Sequence, residues 1–256
     1  MRVFSNKRGQ VTIFIVVSII IVVGIVVLFY LTSLSKTEIS PKDDPQGFIE
    51  ECILDEVKKS TDKILPMGGF LEPDPSILFR DVDVQYLCYI EAEKKQCVVL
   101  EPMLKDHIEQ EIIRDSQQKI ERCFNELEKT FEGYDYFAGP TEYFVVASPS
   151  TITGTVNKEI KISKDGSVRT FNKFVSAQYS PIFDFILISN QILRKEANCK
   201  CAEEHCGADV VEISRMNQEY ELELFVTGVN EKIYTIRDTK TKQEFNFALR
   251  NCILLP

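Results

Sequence analysis

The sequence predicts an α+β protein in which an N-terminal transmembrane helix is followed by a disulfide-stabilised ectodomain with two longer helices, antiparallel β hairpins and a β meander. Three observations support this class. Residues 11–31 form an uncharged apolar run, and about 20 such residues are what a helix needs to cross a bilayer. The chain has eight cysteines, an even number. After the run, helical and alternating apolar patterns follow one another.

The charges beside the apolar run predict its orientation. Arg2, Lys7 and Arg8 precede it without an acidic residue, whereas Asp43 and Asp44 follow it. The positive-inside rule therefore makes residues 1–10 a cytoplasmic basic tail and places the C-terminal domain outside the cell membrane, with the lipid bilayer as a partner. A cleaved secretory signal is the weaker alternative, because the run exceeds a usual h-region and no A-x-A-like site follows it.

The next part of the chain is predicted to be helical at both ends. Residues 32–47 are polar, contain Pro41 and Pro45, and are interpreted as a juxtamembrane spacer. One helix is expected from about Pro45 to Leu65, and a longer one from Pro102 to about Phe131, each with one apolar face. With the hairpin between them, they form a predicted helix-hairpin-helix subdomain at residues 48–139.

A disulfide is predicted between Cys88 and Cys97. Residues 82–86 alternate between apolar and polar side chains, as in a half-buried strand, and residues 96–100 can return beside them. A turn centred on residues 92–93 would place Cys88 directly opposite Cys97, within reach of a bond. The alternative is a pair of separately buried thiols.

A second disulfide is predicted between Cys52 and Cys123, which lie on the apolar faces of the two helices. A bond here would join the helices and stabilise the fold by roughly 2–5 kcal/mol. Two unpaired core cysteines are the alternative.

Residues 140–256 are predicted to form a mainly antiparallel β subdomain with a cysteine-rich loop. EYFVVAS is followed by a long hairpin whose turn contains Asp165 and Gly166, a strong hairpin signal. A short helix is expected after Pro181, and the segments YELELFVTG, KIYTIRD and EFNFALRNC form a meander. A single α+β body fits the pattern equally well.

The cysteine-rich loop is predicted to hold two disulfides made from Cys199, Cys201, Cys206 and Cys252. A bond between Cys199 and Cys201 would be strained, so each is expected to reach Cys206 or Cys252, and both arrangements remain open. Zinc held by Cys199, Cys201, His205 and Cys206 is the less favoured alternative. The spacing is unlike a usual zinc motif, and export favours oxidation.

No catalytic residue or cofactor is predicted. His107 and His205 are the only histidines, and His107 is expected to be a solvated residue on the long helix. Glu109 and Glu111 are interpreted as part of a charged helical face. An anchored hydrolase or thiol-disulfide enzyme is a remote alternative, because the C-x-x-C spacing of redox proteins is missing.

The net charge argues against a nucleic-acid partner. The chain carries 30 basic and 39 acidic residues, a net charge of −9. Without the three basic residues of the tail, 27 basic residues face 39 acidic ones, which gives −12 outside the membrane. Such a surface repels phosphate backbones.

The opening KRGQVTIF resembles the class III signal peptide of archaeal type IV pilin-like precursors. This resemblance implies that a membrane peptidase cuts after Gly9 and leaves Gln10 as the new N-terminus. Where that family favours a glutamate, this chain has Phe14. The opening, together with FIEECILDEV and MGGFLEP, is also similar to that of uncharacterised archaeal single-pass surface proteins.

The sequence thus predicts a membrane-anchored, extracytoplasmic cell-surface protein with a structural or interaction role. Its partners would be other surface proteins or copies of itself. The alternative is a pilin-like or pseudopilin filament subunit processed after Gly9. Pro41 and Pro45 count against the filament, because they interrupt the long helix that such a subunit needs.

Overall fold

The computed structural model describes residues 16–27, 40–90, 97–198, 210–228 and 230–251. By its internal contacts the chain divides into two compact units, Met1–Ser40 and Pro41–Pro256. Strands from both sides of residue 140 pair within the second unit.

In the first unit, residues 16–27 form helix α1, and its side chains are exposed. The remainder of the predicted span and the predicted tail at residues 1–10, including Gly9, lie outside the described residues, as does the first half of the predicted spacer, residues 32–39. No helix in the described part of the chain is long and apolar enough to cross a membrane.

The second unit contains the two longer helices that the sequence predicts. They are α2, Pro45–Ile64, and α3, Leu104–Thr130. Asp44 caps α2 by accepting a hydrogen bond from the backbone N–H of Gly47 at 2.9 Å, and Pro45 takes the first position, where a helix needs no N–H donor. Both helices begin and end within about two residues of their predicted positions. The shorter helix after Pro181 also forms, as α4, Ile182–Ala197.

A four-stranded antiparallel sheet contains the long predicted hairpin. Its strands are β4, Asp135–Ala138; β5, Glu142–Ser148; β6, Thr151–Lys164; and β7, Ser167–Tyr179. Strand β6 lies in the centre, with β7 along one edge and β4 and β5 in succession along the other. Asp165 and Gly166 turn the hairpin with φ values of 52° and 80°, which their short or absent side chains tolerate.

A six-stranded sheet contains the predicted meander. Its strands are β1, Ser76–Phe79; β2, Val82–Tyr89; β3, Val98–Val99; β8, Tyr220–Thr227; β9, Glu231–Asp238; and β10, Glu244–Arg250. The order is β1-β2-β10-β9-β8, and β3 pairs with β2. The sequence predicts only antiparallel pairing, but β2 and β10 run parallel. The last described strand, β10, thus completes a sheet that begins near residue 76.

The prediction of a half-buried strand at residues 82–86 is wrong. Residues 84–88 of β2 are all buried, because both faces of this strand carry apolar neighbours. Val84 belongs to a small cluster on one face, and Leu87 and Cys88 belong to the main core on the other. The register of β2 against β10 skips Leu87, and such a bulge moves the following side chain to the opposite face. The polar Gln85 is buried because its side-chain oxygen accepts a hydrogen bond from the backbone N–H of Asp74 at 2.8 Å.

Three elements are absent from the prediction. They are strands β1 and β4 and helix α5, Val210–Met216. Each is short, and the two strands alternate only weakly in burial. The two strands form because a longer strand offers free backbone groups beside them, which local sequence does not reveal.

Candidate functional site

Both disulfides predicted within the described residues are formed. Cys52 and Cys123 join α2 to α3 with their Cα atoms 6.6 Å apart, across a sequence separation of 71 residues. Cys88 and Cys97 have Cα atoms 5.4 Å apart and a separation of 9 residues. No cysteine in the described part of the chain is free. The two bonds tie the core helices together and close the hairpin.

The predicted register of that hairpin is wrong, although the bond forms. Cys88 lies opposite Val99, and Tyr89 lies opposite Val98, so Cys97 is displaced from the expected position by two residues. Since side chains alternate with period two, a shift of two residues keeps Cys97 on the same face. The disulfide therefore joins diagonal neighbours rather than directly opposed ones.

The predicted cysteine-rich loop lies outside the described residues, as do Cys199, Cys201, His205, Cys206 and Cys252. The predicted disulfides of this loop and the alternative zinc site both fall on residues that the structure does not describe. Among the residues that are described, no group of three or more histidine, cysteine, aspartate or glutamate side chains is placed to hold a metal ion.

His107 is not the solvated residue that the sequence predicts. Its ring stacks against Phe70, with the ring centroids 3.9 Å apart, and its side chain is 23% exposed. The Nδ1 atom lies 3.7 Å from a carboxylate oxygen of Glu101, and the buried Nε2 atom has no partner among the described residues. The ring thus fills space between α3 and the loop that follows α2.

Glu109 and Glu111 are also more than a charged face. Glu109 accepts a hydrogen bond from the backbone N–H of Ala147 at 2.7 Å, and Glu111 accepts one from Leu71 at 2.7 Å. Each carboxylate satisfies a backbone donor on a neighbouring segment. The interpretation of this pair as part of a charged helical face is therefore incomplete, because both acids also join α3 to other parts of the fold.

Glu196, near the end of α4, is a fully buried charged residue. Its side chain is fully buried and accepts hydrogen bonds from Lys232 at 2.8 and 2.9 Å and from the hydroxyl of Tyr234 at 2.5 Å. The amide of Asn251 donates to the backbone oxygen of Glu196 at 2.8 Å and to its carboxylate at 3.2 Å. This buried carboxylate cluster joins α4 to β9 and to the end of β10.

The environment of this cluster keeps a proton on the tyrosine. Burial is the largest cause that raises the pKa of Tyr234, and the charge of Glu196 raises it further. The phenol therefore stays a donor, and the carboxylate stays an acceptor for a partly exposed lysine. Such a fixed ion pair suits a structural anchor, because every member is already engaged in hydrogen bonding.

A polar pocket lies where the end of α2, the end of β7 and the β9–β10 turn meet. Its volume is about 570 Å³, within the range of small-molecule sites, about 300–1,000 Å³. It is lined by Lys58, Thr61, Asp62, Gln178, Tyr179, Ser180, Thr241 and Gln243. All of these side chains carry a polar group, and most of them are neutral.

Two polar atoms of residues that line this pocket have no hydrogen-bond partner in the described part of the chain. They are the hydroxyl of Thr61, a residue that is 2% exposed, and the side-chain oxygen of Gln243. The amide nitrogen of Gln243 donates to Asp62 at 2.6 Å, which fixes the orientation of that amide. Buried polar groups are normally paired, but both of these atoms are inaccessible to solvent and do not face the open volume of the pocket.

The sequence predicts neither the buried carboxylate cluster nor the polar pocket. Glu196 falls on the face of α4 that also carries Ile192 and Leu193, and an acid among buried apolar residues is the one signal that was present in the pattern. The residues of the pocket come from three distant segments and carry no common motif. Only the tertiary structure brings them together.

No family model matches the chain, and no curated protein or solved structure matches it at a significant level.

Proposed function

We propose that the protein is a membrane-anchored, extracytoplasmic cell-surface protein with a structural or interaction role. The observation that carries this proposal is an uncharged apolar run at residues 11–31 followed by a body in which every described cysteine is disulfide-bonded. Disulfides persist mainly in oxidising compartments outside the cytoplasm. A disulfide-bonded body after such a run is therefore best accounted for by export and anchoring.

The proposed orientation is a single pass, with the N-terminus in the cytoplasm. The basic residues Arg2, Lys7 and Arg8 support it through the positive-inside rule. The proposed partners are the lipid bilayer and other surface proteins or copies of this chain. A net charge of −9 favours them over nucleic acid.

A type IV pilin-like or pseudopilin subunit is the second candidate. It is favoured by one observation, the opening KRGQVTIF, in which a basic pair and Gly9 precede the apolar run. In this candidate, processing would expose Gln10, and residues 11–31 would pack against copies of themselves. Pro41 and Pro45 favour the anchored surface protein instead.

The two candidates are separated by the N-terminal sequence and the intact mass of protein isolated from its native cells without reducing agent. A chain that retains residues 1–9 is expected for the anchored protein. A chain that begins at Gln10 would replace it with the pilin-like candidate. A chain that begins beyond Ser35 would contradict both, because it would lack the anchor.

The orientation is tested separately with a protease added to intact cells. We expect residues beyond 40 to be degraded in intact cells, while an epitope fused to the N-terminus is cleaved only after lysis. Cells that lack the fusion, and cells that express a cytoplasmic marker, are the controls. Protection of the C-terminal body in intact cells would contradict the proposed orientation.

A further inference from the structure

We propose that the outer face of the four-stranded sheet binds a second copy of this chain, with a two-fold axis that runs along β6. The outer face is the surface of β5, β6 and β7 that points away from α2 and α3. It consists of four rows of paired residues, namely Glu142, Asn157 and Lys173; Phe144, Thr155 and Val175; Val146, Thr153 and Ala177; and Ser148, Thr151 and Tyr179. A copy of the chain is one of the partners proposed above, and only the step that involves a shared bilayer rests on the proposed anchor.

The outer face leaves apolar side chains uncovered. Exposed and buried residues alternate along β5, and the buried Tyr143 contacts α3 through a hydrogen bond with Ser116 at 2.9 Å. On the opposite side of the sheet, Phe144 and Val146 are 49% and 47% exposed, and Val175 of β7 is 39% exposed. These residues are neighbours across the strands, and a contiguous exposed apolar surface is typical of a contact with another molecule.

The charges of the outer face select a second copy of the same face as its partner. Glu142 and Lys173 lie at opposite ends of one row, with Asn157 of β6 between them. In the described part of the chain, neither of these two charged side chains has an ion-pair partner. A two-fold axis along β6 exchanges the two edges of the face, so Glu142 of each copy lies opposite Lys173 of the other. A symmetric pair therefore contains this contact twice.

The same axis matches the sizes of the facing side chains. Phe144 lies opposite Val175 of the second copy, and Val146 lies opposite Ala177, while the threonines of β6 face their own counterparts at the axis. In both apolar pairs a larger side chain opposes a smaller one. The two faces can therefore approach to the spacing of about 10 Å that packed sheets keep.

A two-fold axis across the strands does not give these contacts. It places β5 over β5 and β7 over β7, and the outer-face residues of β5 include no cation. Glu142 would then face no opposite charge in the second copy. The charge pattern therefore distinguishes between the two symmetric arrangements.

The point at which the chain enters the second unit also favours the axis along β6. The carbonyl oxygen of Lys42 accepts a hydrogen bond from Arg169 at 3.4 Å, and its ammonium lies 5.4 Å from the ring centroid of Tyr134. Arg169 follows closely on the turn at Asp165 and Gly166, so the chain enters at the turn end of the long hairpin. An axis along β6 keeps the turn ends of both copies on the same side, as two chains anchored in one bilayer require. An axis across the strands sends them to opposite ends.

The test measures association of the full chain in phosphatidylcholine liposomes. A fluorescent protein is fused to its C-terminus, and the number of photobleaching steps in each spot is counted as the density of protein in the lipid is lowered. We expect two-step spots from the wild type at densities at which an unrelated monomeric single-pass protein with the same fusion gives single steps. The density at which pairs dissociate measures the strength of association.

Reversal of the two charges tests both the face and the axis. Glu142→Lys and Lys173→Glu each replace two contacts between opposite charges by two contacts between like charges, and we expect each to weaken association by about tenfold or more. The double variant Glu142→Lys/Lys173→Glu restores both contacts with exchanged signs, so it should associate nearly as tightly as the wild type. The matched control is Glu126→Lys, which makes the same change of charge at an exposed position of α3. It should associate as the wild type does.

Three outcomes would overturn the proposed pair. One is single-step bleaching of the wild type at every density. Another is that the single reversals associate as tightly as Glu126→Lys. The third is that the double variant associates no better than the single ones, which would place any contact elsewhere.

Loss of association would not reflect loss of the fold. Glu142, Lys173 and Glu126 are all exposed, so the variants should unfold at nearly the same temperature as the wild type. Association in liposomes is measured whether or not the chain is anchored in its native cells. The result therefore does not depend on the protease experiment, and the two proposals can fail separately.

Discussion

The ring of Phe79 lies 5.0 Å from the ring of Phe225, although β1 and β8, which carry them, are the two ends of the strand order in the six-stranded sheet. The sheet therefore curls until its edges approach. The guanidinium of Arg80 lies 4.9 and 5.0 Å from the two ring centroids. This closure encloses the small apolar cluster around Val84 and Tyr86 and leaves the other face of the sheet to the main core.

The two described disulfides should differ in their contribution to stability. In the chain-entropy description, a bond across 71 residues stabilises by about 4 kcal/mol, and one across 9 residues by about 2.5 kcal/mol. We therefore expect the double variant Cys52→Ala/Cys123→Ala to lose more unfolding free energy than Cys88→Ala/Cys97→Ala. Urea unfolding of both variants measures the difference, and an equal or reversed order would contradict it.

The buried Glu196 should be among the most sensitive single positions. Glu196→Gln removes the charge that compensates Lys232 and disturbs the hydrogen bond from Tyr234, so we expect a loss of about 3–5 kcal/mol of unfolding free energy. The matched control is Glu219→Gln, which removes an ion pair with Lys240 whose side chains are both more than half exposed. That variant should lose at most about 1 kcal/mol, and a similar loss in both would refute a special role for burial.

The free energy of unfolding should depend on pH through Asp115. Burial, the largest influence, raises its pKa, but hydrogen bonds from Lys119, Lys63 and Ser60 outweigh it and hold the pKa of this carboxyl well below its usual range. A lowered pKa in the folded state means that the stabilisation is fully present above the unfolded pKa, about 3.9, and is lost as the pH falls below it.

The test for Asp115 compares the wild type with Asp115→Asn in urea at neutral pH and at low pH. At neutral pH we expect the variant to be less stable by about 1.5–3 kcal/mol, the range for hydrogen bonds to a charged group. The difference should shrink as the pH falls through the carboxyl range. A difference that stays constant with pH would show that the carboxylate charge is not the cause.

Gly154 should not accept a side chain, for reasons of space. A Cβ atom there would lie 2.6 Å from Cγ2 of Ile53 and 3.2 Å from Cγ2 of Val57, because α2 packs closely on β6. Gly154→Ala should therefore cost about 1–3 kcal/mol through overpacking. Gly139→Ala is the control, since its nearest neighbours would be 3.5 Å away. Its thermal unfolding should match that of the wild type, and equal losses in both variants would contradict the close contact.

The sequence by itself determined the elements whose signals are local. Helices α2 and α3 carry apolar residues at helical spacing and end at turn residues, and the hairpin at Asp165 and Gly166 has a turn that few other residues can make. The pairing of Cys52 with Cys123 followed from the apolar faces of the two helices, because buried faces must meet in one core. These features depend on residues a few positions apart or on a single shared core.

The tertiary structure alone decided which distant segments became neighbours. Alternation predicts that β2 is a strand, but it does not reveal that β10 lies beside it in parallel or that a bulge at Leu87 turns Cys88 toward the main core. Likewise, Glu196 accepts a hydrogen bond from Tyr234 of β9, and the pocket beside Thr61 is lined by residues of β7 and the β9–β10 turn. These partners lie far away in the sequence. A local pattern determines which face of an element is buried, whereas its neighbour is chosen by the packing of the whole chain.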